Sequence, residues 1–186
     1  MTESARSALL TRAIEFFAVT GIGDTSLRGI AAGVGTSHRM LIHHFGSREG
    51  LLQAVVERVE AEQRELLATL LADQHSDPVE LGRTFWRATT DAALIYGPLL
   101  FELSAQAMQQ RPHALPLRSS LINDWLEPLA TLWTRRGLSK DRALRQARLD
   151  LAVARGLLQD LLLTGDRAAV DNAMDDYIAA VDNDAH

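Results

Sequence analysis

Residues 25–52 read TSLRGIAAGVGTSHRMLIHHFGSREGLL. Thr25 or Ser26 is placed to cap a short helix over 27–34, and Gly35 falls where a tight turn is needed. Ser37 can cap a second short helix over 38–44, which Gly46 ends. Ser47 then caps a longer helix from 48 to about 71. Two short helices joined through a glycine turn have the spacing of a helix-turn-helix. The second helix of such a pair lies in the major groove of DNA, with its N-terminal residues at the base edges.

Helical geometry sorts the side chains of that second helix. Leu41 and Phe45 are four apart and should face inward, onto Phe17 and Ile30. His38, Arg39 and His43 fall on the opposite side, with Met40 near the edge. Arg39 can pair bidentately with guanine, and Met40 can touch a thymine methyl. Thr36, Ser37 and the first-turn amides suit phosphate. Charge agrees with this placement. The formal net charge is −5, yet residues 1–60 balance six arginines against six acids. Residues 25–48 hold Arg28, Arg39, Arg48, His38, His43 and His44 and no acid. An acid-free window in an acidic chain is a candidate phosphate-facing surface.

Outward from this stretch the pattern is helical on both sides. Leu9, Leu10, Ala13, Ile14 and Phe17 recur on one face of a first helix that Gly21 can stop. Downstream, Asp77, Pro78 and Glu80 form a capping-box start. Gly97-Pro98 should break the helix that follows. Pro112 and Pro116 bracket a connection. Further helices are expected over 117–136, from a Ser139 cap to 164, and after Gly165-Asp166 to 181. A polar tail, 182–186, should fray. The fold expected is all-α with about nine helices. An N-terminal reading domain (residues 1–52) is followed by a larger helical regulatory and dimerisation domain (residues 53–186).

The segment over residues 7–52 resembles the DNA-binding domain of TetR-type regulators. The resemblance runs through Leu9, Leu10, Ala13, Phe17, Gly21, Thr25-Ser26, Ile30-Ala31, Gly35, Ser37, Leu41, His44-Phe45, Ser47, Glu49 and Leu51. It implies a ligand-responsive transcription regulator, most often a repressor, bound to a palindromic operator as a homodimer. The DNA-binding set is then Thr25, Ser26, Arg28, Thr36, Ser37, His38, Arg39, Met40, His43, His44 and Arg48. Two positions depart from the family pattern. Ile42 stands where a phosphate-contacting Tyr is common, which passes that duty to His43 or His44. Arg48 replaces the usual Lys, and keeps its charge.

In TetR-like proteins helix four links the reading head to the larger domain, and the last two long helices pair with their copies in a second subunit. Here the expected dimer residues are Leu149, Val153, Gly156, Leu157, Leu161, Met174, Tyr177 and Ile178. A helix apolar nearly all round, as over 147–163, must be covered on more than one side. A central core helix within one subunit is the other reading of it. Candidates for an effector pocket are Phe85, Trp86, Thr89, Tyr96, Phe101, Met108, Trp125 and Gln159, with Trp133 among the further aromatics. Such a lining suits an apolar or aromatic effector.

The sequence also excludes. It has no cysteine, so disulfides and thiolate metal sites are absent. The adjacent His43 and His44 diverge on a helix, and no metal set is expected. No nucleophile-elbow or phosphate-loop motif argues for an enzyme, and no cofactor is expected. The acidic pairs Glu60/Glu62 and Asp175/Asp176 should lie on solvated faces. No apolar run approaches the roughly 20 residues that span a bilayer, so a soluble cytoplasmic protein without membrane contact is expected. The alternative function is an all-helical small-molecule carrier that no longer binds DNA.

Overall fold

The computed structural model describes residues 4–183 apart from Ile22, Asp24, Gln74 and Ser76. Among them the helices in chain order are α1 (Ala5–Thr20), α2 (Leu27–Gly33), α3 (His38–Phe45), α4 (Arg48–Ala72), α5 (Pro78–Met108), α6 (Leu117–Ser120), α7 (Asn123–Arg135), α8 (Lys140–Thr164) and α9 (Arg167–Asn183), with a 3-10 turn at Pro112–Ala114. The expected all-α architecture is what forms. The tail after Asn183 lies outside the described residues.

Helix starts follow local chemistry. Ser4, Ser26, Ser37 and Ser47 each accept a backbone N–H three residues on, which satisfies a donor that the helix itself cannot. Ser26, rather than Thr25, is therefore the cap of α2. Asp166 does the same for α9, while Asp77 caps α5 by accepting the N–H of Val79, two residues on, rather than that of Glu80 as a capping box requires. Ser139 occupies the cap position of α8 but makes no capping bond with its side chain. Gly35 takes φ 65° in the turn between α2 and α3, a conformation that a β-carbon disfavours.

The reading head closes on one core. Ala13, Phe17, Ile30, Leu41 and Leu51 are fully buried there, with Phe45 beside them. That core does not stop at residue 52. It runs on through Val55 and Val56 of α4 to Leu99 and Leu103 of α5, and to Leu117 and Leu121. A second core gathers Leu67, Trp125, Leu129, Trp133, Ala143 and Ala147. A third gathers Trp86, Ala93, Leu158, Leu161, Val170 and Met174. The 25-residue α4 is about 37 Å long at 1.5 Å per residue, and it contributes to the first two of these cores.

Two expected helix boundaries are corrected. Gly97-Pro98 does not break α5, which runs unbroken for 31 residues. Pro98 forfeits one helical hydrogen bond, but the helix is gripped on both sides, with Ala93, Leu99 and Leu103 all buried. Gly97 lets α8 come close, since a β-carbon there would lie 2.7 Å from Leu162 Cδ1 and push that side chain aside. The expected helix over 117–136 is in fact two. A turn at Leu121 and Ile122 separates α6 from α7. The turn lets Leu117 and Leu121 enter the first core while Trp125 and Leu129 enter the second.

Candidate functional site

α3 presents its polar face outward. His38, Arg39 and His43 are exposed, and Met40 and Ile42 are each 40% exposed. Arg28 of α2 is exposed as well, while Thr36 is half-buried. Ser37 is exposed, but its hydroxyl caps Met40 at 3.2 Å, and the Thr36 amide closes the turn on Ala31 O at 2.9 Å. The Met40 amide, one of the first-turn amides expected to be open to phosphate, and the Thr36 amide are therefore used inside the motif. The N–H groups of His38 and Arg39 begin the helix ahead of its first internal bonds.

Four residues of the expected DNA set are engaged within the protein. Arg48 Nε donates to Thr25 O at 2.9 Å and Nη2 donates to Gly23 O at 2.8 Å. Its guanidinium thus straps the loop before α2 to the start of α4. Thr25 takes part through its carbonyl, and Ser26 is the cap of α2. His44 is half-buried, with Nε2 enclosed and unpartnered among the described residues. Its ring packs edge-on against those of His43 and Phe45, so His44 braces the end of α3 rather than facing outward. Two basic residues absent from the sequence-based set join the surface. Exposed Arg6 sits with its guanidinium 5.1 Å from the Phe45 ring centroid. Exposed Arg12 lies near Gly35 in the central turn. Both belong to α1, and no spacing within α2 or α3 points to them.

In the larger domain, α4, α5, α7, α8 and α9 enclose a cavity of about 150 Å³. Of the expected pocket residues, Phe85, Trp86, Thr89 and Trp125 line it. Tyr96 lines a smaller neighbouring cavity of about 50 Å³, which shares Glu60, Thr89, Leu100, Trp125 and Leu158 with the first. Phe101, Met108 and Gln159 line neither. Met108 is 76% exposed at the end of α5, Gln159 is exposed on α8, and Phe101 packs against the third core. Met174, Tyr177 and Ile178, expected at a dimer interface, line the cavity from α9. Leu161 is fully buried inside the subunit, and Val153 and Leu157 are half-buried. Leu149 is 56% exposed, and Gly156 is exposed with nothing within 4 Å of its β-carbon position.

Each tryptophan gives its indole N–H to a carboxylate. Trp86 donates to Asp171 at 2.7 Å, Trp125 to Glu60 at 2.6 Å and Trp133 to Asp150 at 2.5 Å. Glu60 therefore does not lie on a solvated face. Only 13% of its side chain is exposed. Burial pushes its carboxyl above the usual range, against the opposing pull of Trp125, Arg155 and Arg64. Burial also raises Asp150, although Trp133, Tyr177 and Gln146 all donate to it. The Arg155 guanidinium is pushed down by burial and partly restored by Glu60. Asp175 is exposed, as expected, and pairs with Arg83. No group of His, Asp and Glu able to hold a metal occurs among the described residues. No described helix is long and apolar enough to cross a membrane.

Cavity and head are physically joined. Glu60 and Arg48 stand on the same helix, α4. Tyr96 of α5 donates its hydroxyl to Ile14 O of α1 at 3.2 Å.

Residues 9–55 match the family model described as bacterial regulatory proteins, tetR family. This segment is of the TetR type. The HTH-type transcriptional regulatory protein RaaS of Mycobacterium tuberculosis is 37% identical over 97 residues, 52% of this chain and 42% of that protein. The chain spans less than half the length of the curated relatives it matches. A TetR transcriptional regulator from Legionella pneumophila has the same fold, with TM-score 0.73 and 16% identity over 97% of this chain and 98% of that one. A TetR-family regulator from Pectobacterium atrosepticum is 26% identical, with TM-score 0.68 over 95% of this chain and 90% of that one. The TetR-type match covers α1 to α3 and the start of α4, and so includes the acid-free stretch over residues 25–48.

Proposed function

We propose that this chain is a ligand-responsive transcription regulator that binds a palindromic operator as a homodimer and acts as a repressor. The observation that carries the reading is the outward face of α3. Its exposed Arg39, His38 and His43 are held in register by the Ser37 cap and the Gly35 turn, within the segment that matches the TetR reading head. The exposed Leu149, Ala152 and Gly156 on α8, together with Leu163 at 79% exposure, support burial against a second copy. Two-fold pairing of heads suits two half-sites.

Control then follows from connection. A ligand filling the cavity presses on Glu60 and Trp125, and so on α4, whose first turn is strapped to the head by Arg48. Paired heads must meet major-groove faces about 34 Å apart, so a small tilt of α4 costs affinity. Selection of duplexes from a random DNA pool tests the reading. Enrichment of an inverted repeat with half-sites one helical turn apart, or a multiple of it, is expected. Recovery of no sequence, or of one unrepeated element, would refute it.

A further inference from the structure

Most polar groups of the cavity wall are matched within the protein. Asp150 accepts from Trp133, Tyr177 and Gln146. Glu60 and Arg155 are different. Arg155 Nη2 stands 3.6 Å from Glu60 Oε2, beyond hydrogen-bond reach. Oε2 is taken by Trp125, while Oε1 and the Arg155 guanidinium have no hydrogen-bond partner among the described residues. Both side chains are largely buried, 13% and 21% exposed, and both line the cavity. These atoms are not sealed off as His44 Nε2 and Arg64 Nη1 are, so a ligand in the cavity can reach them and supply the hydrogen bonds the pair lacks.

Charge narrows what that ligand can be. The charged residues that line the cavity are two carboxylates, Glu60 and Asp150, and two guanidinium groups, Arg136 and Arg155. They balance, so a ligand with a net charge would leave that charge uncompensated among apolar walls. A neutral group with an acceptor beside a donor fits both open positions. Phe85, Trp86, Trp125 and Trp133 offer ring faces to a flat apolar body.

Given that the cavity is the effector site, we propose that it selects an uncharged aromatic carboxamide-type ligand. Its carbonyl would accept from Arg155 and its N–H would donate to Glu60 Oε1.

Calorimetric titration of the full chain with four probes on one ring system tests this: naphthalene-carboxamide, naphthalene-carboxylate, naphthylmethylammonium and naphthalene. The carboxamide should bind about tenfold or more tightly than each of the others, since hydrogen bonds to charged groups are the strong ones. Arg155→Met should bring the carboxamide down to the level of naphthalene and leave naphthalene unchanged. Arg155→Lys, which keeps the charge but not the planar fork, should lose less. Equal or tighter binding of naphthalene or of either ion overturns the ligand class and leaves the cavity as a site. Binding of none of the four overturns the cavity reading, and the ligand class with it. Equal loss of carboxamide and naphthalene in both Arg155 variants overturns the placement on Arg155.

Discussion

Arg39 is exposed in the first turn of α3 and is the side chain of this surface best suited to reading a guanine. Arg39→Ala should weaken binding to the selected operator by about 1–3 kcal/mol and relax preference at one base pair. A mobility-shift titration on matched and mismatched duplexes checks this, and unchanged affinity would remove Arg39 as a base reader. Arg48 tells a different story. Its two bonds to the Thr25 and Gly23 carbonyls make Arg48→Ala a stability variant, expected to cost about 1–3 kcal/mol in denaturant unfolding. A type-and-spacing argument sees only a positive charge beside the motif, because the loop carbonyls that claim it become neighbours only on folding. Glu60 is a similar case. Its acidic neighbours along the chain suggest a wet helix face, and only the arrival of Trp125 from α7 makes it an interior acceptor. Glu60 and Asp150 both hold protons more readily folded than unfolded. Each therefore carries a penalty above its folded pKa that is relieved as pH falls toward the ordinary carboxylate range. Thermal stability should rise as pH is lowered from neutrality through that window, and the Glu60→Gln/Asp150→Asn double variant should flatten the rise. A wild-type melting temperature that falls steadily over the same window would contradict this.

At the scale of elements, periodicity revealed the helices and their caps well, because both rest on contacts within four residues. Ser26, Ser37 and Ser47 cap the helices they precede. Gly97-Pro98 misleads for the opposite reason. The local cost of proline is real, but burial of Ala93, Leu99 and Leu103 on distant elements outweighs it. Likewise, nothing local separates α6 from α7, whose division serves two different cores. The candidate pocket was legible in part, since large aromatics do surround it. Which side chains do so depends on helix rotation, and Phe101, Met108 and Gln159 fall outside. Between elements, Tyr96 ties α5 to the carbonyl of Ile14 in α1. Tyr96→Phe should keep both operator affinity and ligand affinity within a fewfold. It should shrink the factor by which ligand weakens the operator complex, read in titrations with and without a saturating cavity ligand. An unchanged factor would assign transmission to α4 alone.

For the whole molecule, the expected assembly is a dimer of about 41 kDa, twice the 20.4 kDa chain. Leu163→Glu combined with Leu149→Glu should give a folded monomer, since both side chains are largely exposed in one subunit. Leu161→Glu should instead unfold the subunit, because Leu161 is 1% exposed. Light scattering and circular dichroism together separate the two outcomes. A double variant that stays dimeric would move the interface elsewhere. Charge is distributed over the molecule as unevenly as apolar surface. Residues 1–60 carry no formal net charge, and all of the −5 belongs to the rest of the chain. The molecule is thus an electric dipole whose acid-poor end is the reading head. In the proposed regulator, a polyanion repels the acidic body but not the head, so the torque turns the head toward DNA before contact. That orientation would shorten the rotational search and keep the body from adhering sideways.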